Sequence, residues 1–110
     1  MGNLKLTPDL MELIAERFKA LGEPARLQVL NALRDGEMTV SELVETTRLG
    51  QANLSKHLGI LHQLGFVTRR KEGLFVYYAL ADRDVFRLCN IMCGKLDSET
   101  SARRKVLARR

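Results

Sequence analysis

Leu10, Leu13, Ile14, Phe18 and Leu21 recur at helical spacing behind Thr7-Pro8-Asp9, a triplet that offers a capping hydroxyl, a proline for the first helical position and an acid for the first turn. A first helix over about residues 8–21 is predicted. Gly22-Glu23-Pro24 breaks and restarts the chain, and Leu27, Leu30, Ala32 and Leu33 carry a second amphipathic helix as far as Asp35-Gly36. Thr39-Val40-Ser41-Glu42 has the form of a capping box and opens a short third helix holding Leu43 and Val44. Thr46-Thr47-Arg48-Leu49-Gly50 interrupts it, and a fourth helix runs from Gln51 to Leu64 before Gly65. Two short helices around a tight glycine-containing turn predict a helix-turn-helix.

Beyond Gly65 the pattern becomes extended. Phe66 to Arg70 and Leu74 to Leu80 flank Lys71-Glu72-Gly73, as the strands of a hairpin flank its turn. Asp82 to Asp84 can cap a fifth helix, in which Val85, Cys89, Met92 and Leu96 fall within ~60° of one another at ~100° per residue. The predicted fold is mainly α with a small β-hairpin, in the order ααααββα. The basic C-terminal stretch, residues 97–110, has a weaker pattern and is expected to be a frayed helical extension or a mobile tail.

With 110 residues, 45% hydrophobic and 28% charged, the chain has the composition of one globular domain, expected to span residues 1–110. The longest apolar run, Leu74 to Ala81, is far shorter than the ~20 residues of a membrane-spanning helix, and MGNLKLTPDL lacks a secretory core. A cytoplasmic protein without a membrane partner is expected. The two cysteines are then reduced thiols, too few for a disulfide scaffold.

The net charge of +5 suggests a polyanionic partner, and its distribution sharpens the suggestion. Residues 1–47 are net acidic, whereas residues 48–71 hold Arg48, Lys56, Arg69, Arg70 and Lys71 without a single Asp or Glu. At ~100° per residue Leu54, Leu58 and Leu61 form the buried face of the fourth helix, and Ala52, Lys56, Gly59 and Gln63 lie opposite, flanked by Asn53 and Ser55. A small, polar, cationic face of this kind can enter the ~12 Å major groove of DNA. Gln51, Asn53 and Ser55 can hydrogen-bond base edges or phosphates, Ala52 can meet a thymine methyl, and Lys56 can reach a phosphate or guanine. His57 is expected at the edge of the groove, and Arg69, Arg70 and Lys71 at the hairpin tip suit a neighbouring backbone or minor groove.

Phe18-Lys19-Ala20-Leu21-Gly22-Glu23-Pro24-Ala25-Arg26-Leu27, Gln51-Ala52-Asn53-Leu54-Ser55-Lys56-His57-Leu58, and Gly65-Phe66-Val67 with Gly73 and Tyr77-Tyr78 together resemble the ArsR/SmtB winged-helix repressors of bacteria. The resemblance covers roughly residues 10–95. It implies a winged helix-turn-helix that dimerises through its first and last helices, binds a double-stranded operator of two half-sites, and represses transcription until an effector weakens its hold.

Metal sensors of that family often carry a Cys-x-Cys box in the third helix, where this chain has Glu42-Leu43-Val44-Glu45-Thr46. Others use Asp and His in the last helix, where this chain has Asp84 but Phe86. His57 and His62, five apart, stand ~140° from each other on one helix and cannot chelate one ion together. Cys89 and Cys93 are one turn apart, and their Cβ separation of ~5–6 Å in a helix disfavours a disulfide between them. Either they pack a dimer seam as small hydrophobes, or they form a thiol effector site, with a thiophilic metal or metalloid as the one cofactor class they could take. No phosphate loop, nucleophile elbow or acid–base pair supports an enzyme. A winged-helix RNA-binding or protein-interaction module without an effector is the alternative to a DNA-binding regulator.

Overall fold

The computed structural model describes the backbone of residues 5–108 and the side chains of residues 5–100. Helix α1 spans Pro8–Leu21, and the Thr7 hydroxyl accepts from the Leu10 N–H at 3.2 Å, as the capping triplet predicts. Helix α2, Pro24–Ala32, is shorter than predicted because its last turn tightens into a 3₁₀ turn at Leu33–Asp35. Strand β1, Met38–Thr39, leads into α3, Val40–Thr47, whose capping box is complete: the Thr39 and Glu42 side chains accept from each other's backbone N–H groups at 3.2 and 2.9 Å, respectively. Helix α4 occupies Gln51–Gln63. Gly65, at φ 82°, then turns the chain into strand β2, Val67–Glu72, and Gly73, at φ 59°, makes the hairpin turn into β3, Phe75–Leu80. Helix α5 runs from Asp84 to Ala108, so the helical extension is the outcome for the backbone of residues 97–108.

One element departs from the expected order. The sheet has three antiparallel strands in the order β1-β3-β2, because Met38 and Thr39 pair with Tyr78 and Tyr77. Two residues cannot display an alternating pattern, and the capping box that follows them carries the stronger helical signal.

The core joins all these layers. Val29, Leu30 and Leu33 meet Leu43 of α3, Leu54, Leu58 and Leu61 of α4, Val67 of β2, Tyr78 of β3, and Val85 and Phe86 of α5. Burying one such leucine contributes about 1.5–3 kcal/mol, so the predicted inner face of α4 anchors that helix firmly. Only the first turn of α5 takes part. Phe86 is covered by the Arg34 guanidinium, 4.3 Å from its ring centroid, and Arg83 donates to the Arg34 carbonyl at 3.0 Å. From Arg87 to Thr100 every side chain of α5 is exposed. The helix therefore projects, and the radius of gyration of 17.5 Å exceeds the ~13 Å of a compact chain this long.

Candidate nucleic-acid interface

The turn between α3 and α4 is built by local and long-range hydrogen bonds. The buried Thr47 hydroxyl donates to the Leu43 carbonyl at 2.6 Å and accepts from the Leu49 N–H at 3.3 Å. Gln28 reaches over from α2 to donate to the Thr47 carbonyl at 2.9 Å. Arg48 closes α3 in the left-handed conformation at φ 60°, ψ 17°, a place usually taken by glycine or asparagine. Gly50 precedes α4 without supplying a side-chain cap, so the first N–H groups of α4 keep their capacity to bind an anion.

Gln51, Ala52, Asn53, Ser55 and Lys56 are all exposed on α4, and the helix contains no acid, as its sequence pattern predicts. His57 departs from the expectation: it is buried on the core side, only 5% exposed, and cannot face a groove. Its Nδ1 lies 3.3 Å from Nη1 of Arg26, which is itself fixed by a 2.5 Å bond from its Nε to the Ala20 carbonyl. Burial, with Arg26 and Lys56 nearby, pulls the imidazole pKa below its ordinary value.

The hairpin divides its three bases. Arg69 and Lys71 are exposed on β2, and neither makes an ion pair among the described residues. Arg70 points to the other face of the strand, where it grips both carboxylate oxygens of Glu37 at 2.6 and 3.0 Å, meets Glu72 at 2.5 Å, and lies 4.3 Å from the Tyr77 ring centroid. Of the three bases expected at the hairpin tip, Arg70 is thus already compensated by two carboxylates. The hydrogen bond from Arg70 holds the Glu37 carboxyl below its usual range, and the bonds Arg70 donates to Glu37 and Glu72 raise the guanidinium further. Sequence reasoning missed Gln28, Thr47 and Arg26 as supports, since their partners are set by packing rather than by spacing.

Cys89 and Cys93 are both exposed on α5. Cys89 lines an apolar groove of about 300 Å³ with Phe18, Leu21, Leu27, Leu88 and Met92. Among the described residues no three His, Cys, Asp or Glu side chains are grouped to hold a metal ion. No described helix is long and apolar enough to cross a membrane.

The model of a family described as bacterial regulatory protein, arsR family, matches residues 23–69. An HTH-type transcriptional regulator of Methanocaldococcus jannaschii is 37% identical over 82 residues, covering 74% of this chain and 92% of that protein. A transcriptional repressor SmtB homolog of Synechocystis is 35% identical over 89 residues, covering 76% of this chain and 67% of that protein. Among solved structures, the homodimeric winged helix-turn-helix DNA-binding domain of a Mycobacterium bovis protein superposes with a TM-score of 0.73 at 31% identity, covering 90% of this chain and 92% of that one.

Proposed function

We propose, since the chain belongs to the arsR family of bacterial regulatory proteins, that it is a homodimeric repressor that binds a specific double-stranded operator and releases it when a thiol-directed effector reaches Cys89 and Cys93. The similar proteins are transcriptional regulators rather than enzymes. The observation that carries the reading is the outer face of α4: exposed, free of acids, uncapped at its N-terminus and mounted on a leucine face that fixes its direction. Gln51, Ala52, Asn53 and Ser55 would meet base edges and nearby phosphates, and Lys56, Arg69 and Lys71 would neutralise phosphates.

Met11, Leu13 and Phe18 of α1 and Leu88, Ile91, Met92 and Leu96 of α5 all have substantial exposed area, which supports pairing of two chains through these helices. The Mycobacterium bovis domain is itself described as homodimeric. Such pairing would gather four thiols near the two-fold axis and link their chemistry to the spacing of the two α4 helices.

Selection from random 30-base-pair duplexes, an arbitrary length of about three turns, should enrich one sequence family. Fluorescence anisotropy should then show affinity falling with salt and no comparable binding of the corresponding RNA duplex. Equal binding of RNA, or no enrichment, would overturn the DNA reading. For the effector, the Cys89→Ser/Cys93→Ser protein should bind the selected duplex like the parent but no longer release it on challenge with arsenite, Cd(II), polysulfide or peroxide. Full release of the double variant would move the signal elsewhere.

A further inference from the structure

Arg26 stands where three helices meet. Its Nε donates to the Ala20 carbonyl, one of the last carbonyls of α1, which lacks a partner further along the helix. Its Nη1 lies 3.3 Å from Nδ1 of His57 on α4. A guanidinium only donates, so the ring nitrogen is the acceptor and the imidazole proton resides on Nε2. Beside this link lies a groove of about 250 Å³ lined by Glu16, Lys19 and Ala20 of α1, Ile60 and Gln63 of α4, and Arg26 itself.

We propose that Arg26 is a positioning residue that couples the end of α1 to α4 through the Ala20 carbonyl and the His57 ring. This rests on the reading of α4 as the DNA-contacting helix. A shift of α1 at its exposed apolar face would reach α4 through the guanidinium fork. The fork has fixed geometry and two donors in use, whereas a lysine ammonium, a compact charge on a flexible stem, cannot reproduce both contacts in the same arrangement.

The link also has a chemical release. Protonating His57 removes the acceptor lone pair and sets one cation against another. The charged groups around the ring are Arg26 and Glu23 from α2 and its approach, Lys56 on α4 itself, and Glu16 and Lys19 of α1 along the groove. Burial, Arg26 and Lys56 oppose protonation, and Glu23 favours it less strongly, so the link persists at neutral pH and opens on acidification below the ordinary histidine range.

The test uses the full chain with and without DNA. In amide NMR across about pH 4–8, a range reaching well below the ordinary histidine pKa, the amides of Ala20 and Leu21 on α1 should titrate together with those of Lys56 and Leu58. Arg26→Lys should leave α4 titrating while α1 no longer follows, and His57→Asn, which keeps an acceptor that does not ionise, should abolish both. On the selected duplex, the parent should lose affinity about tenfold at low pH, a change within the usual range for coupled sites. His57→Asn should bind as the parent does at neutral pH and show a flat profile, while His62→Asn keeps the parental one. Independent titration of α1 and α4 in the parent, or an unchanged joint titration in Arg26→Lys, would overturn the coupling. If Arg26→Lys does not fold, the joint titration of α1 and α4 in the parent and its loss from both helices in His57→Asn decide. If the chain binds no duplex, the functional reading fails, and the NMR titration still decides the coupling.

Discussion

Single side chains on the proposed DNA face divide by whether their charge is already compensated. Lys56 is exposed on a helix without acids, whereas Arg70 is held by Glu37, Glu72 and the Tyr77 ring. Lys56→Ala should therefore lower the slope of log affinity against log salt by about one, as loss of one phosphate contact does. Arg70→Ala should leave the slope nearly unchanged and instead loosen β2 from the Glu37 segment, which faster amide exchange in the hairpin would report. An equal fall in slope for both variants would place Arg70 on phosphate after all. The difference was not legible in Arg69-Arg70-Lys71 itself, because the partner that withdraws Arg70 lies 33 residues earlier. His57 was closer to legible. It stands ~60° from Leu54 on the helix, inside the arc a wide buried face covers, and only its polarity argued for the surface.

Among the elements, α4 was the most legible, since Gly50 and Gly65 bracket a leucine stripe whose period needs no tertiary information. Strand β1 was the least, being two residues whose extended form exists only against β3. What aims α4 is the turn before it, and Thr47 is its centre. Thr47→Val keeps the shape but removes the hydroxyl that joins Leu43 to Leu49, leaving a part-buried N–H without its acceptor. A loss of about 1–3 kcal/mol in unfolding free energy is expected from chemical denaturation. Duplex affinity should fall as well, because the first turn of α4 is no longer held. Unchanged stability and affinity would show that the hydroxyl does not hold the turn.

At the scale of the whole molecule, α5 takes apolar surface away from the core, and a second chain is the partner that would cover it. Met92→Asp, 57% exposed in one chain, should be harmless to a monomer and should convert a dimer to monomers by placing an unpaired carboxylate in the seam. Sedimentation of both proteins at micromolar concentration would show it, and a monomeric parent would remove the two-half-site reading. The left-handed Arg48 carries a consequence of another kind. Glycine there would relieve about 1–2 kcal/mol of backbone crowding while adding about 0.4–1 kcal/mol of unfolded-state entropy, so Arg48→Gly should melt slightly higher than the parent. It would also delete a cation from the acid-free stretch and bind DNA less tightly. A rise in melting temperature paired with a loss of affinity in this one variant would make position 48 a place where binding and heat resistance pull in opposite directions, and where a search for thermostable variants would erode the function it set out to preserve.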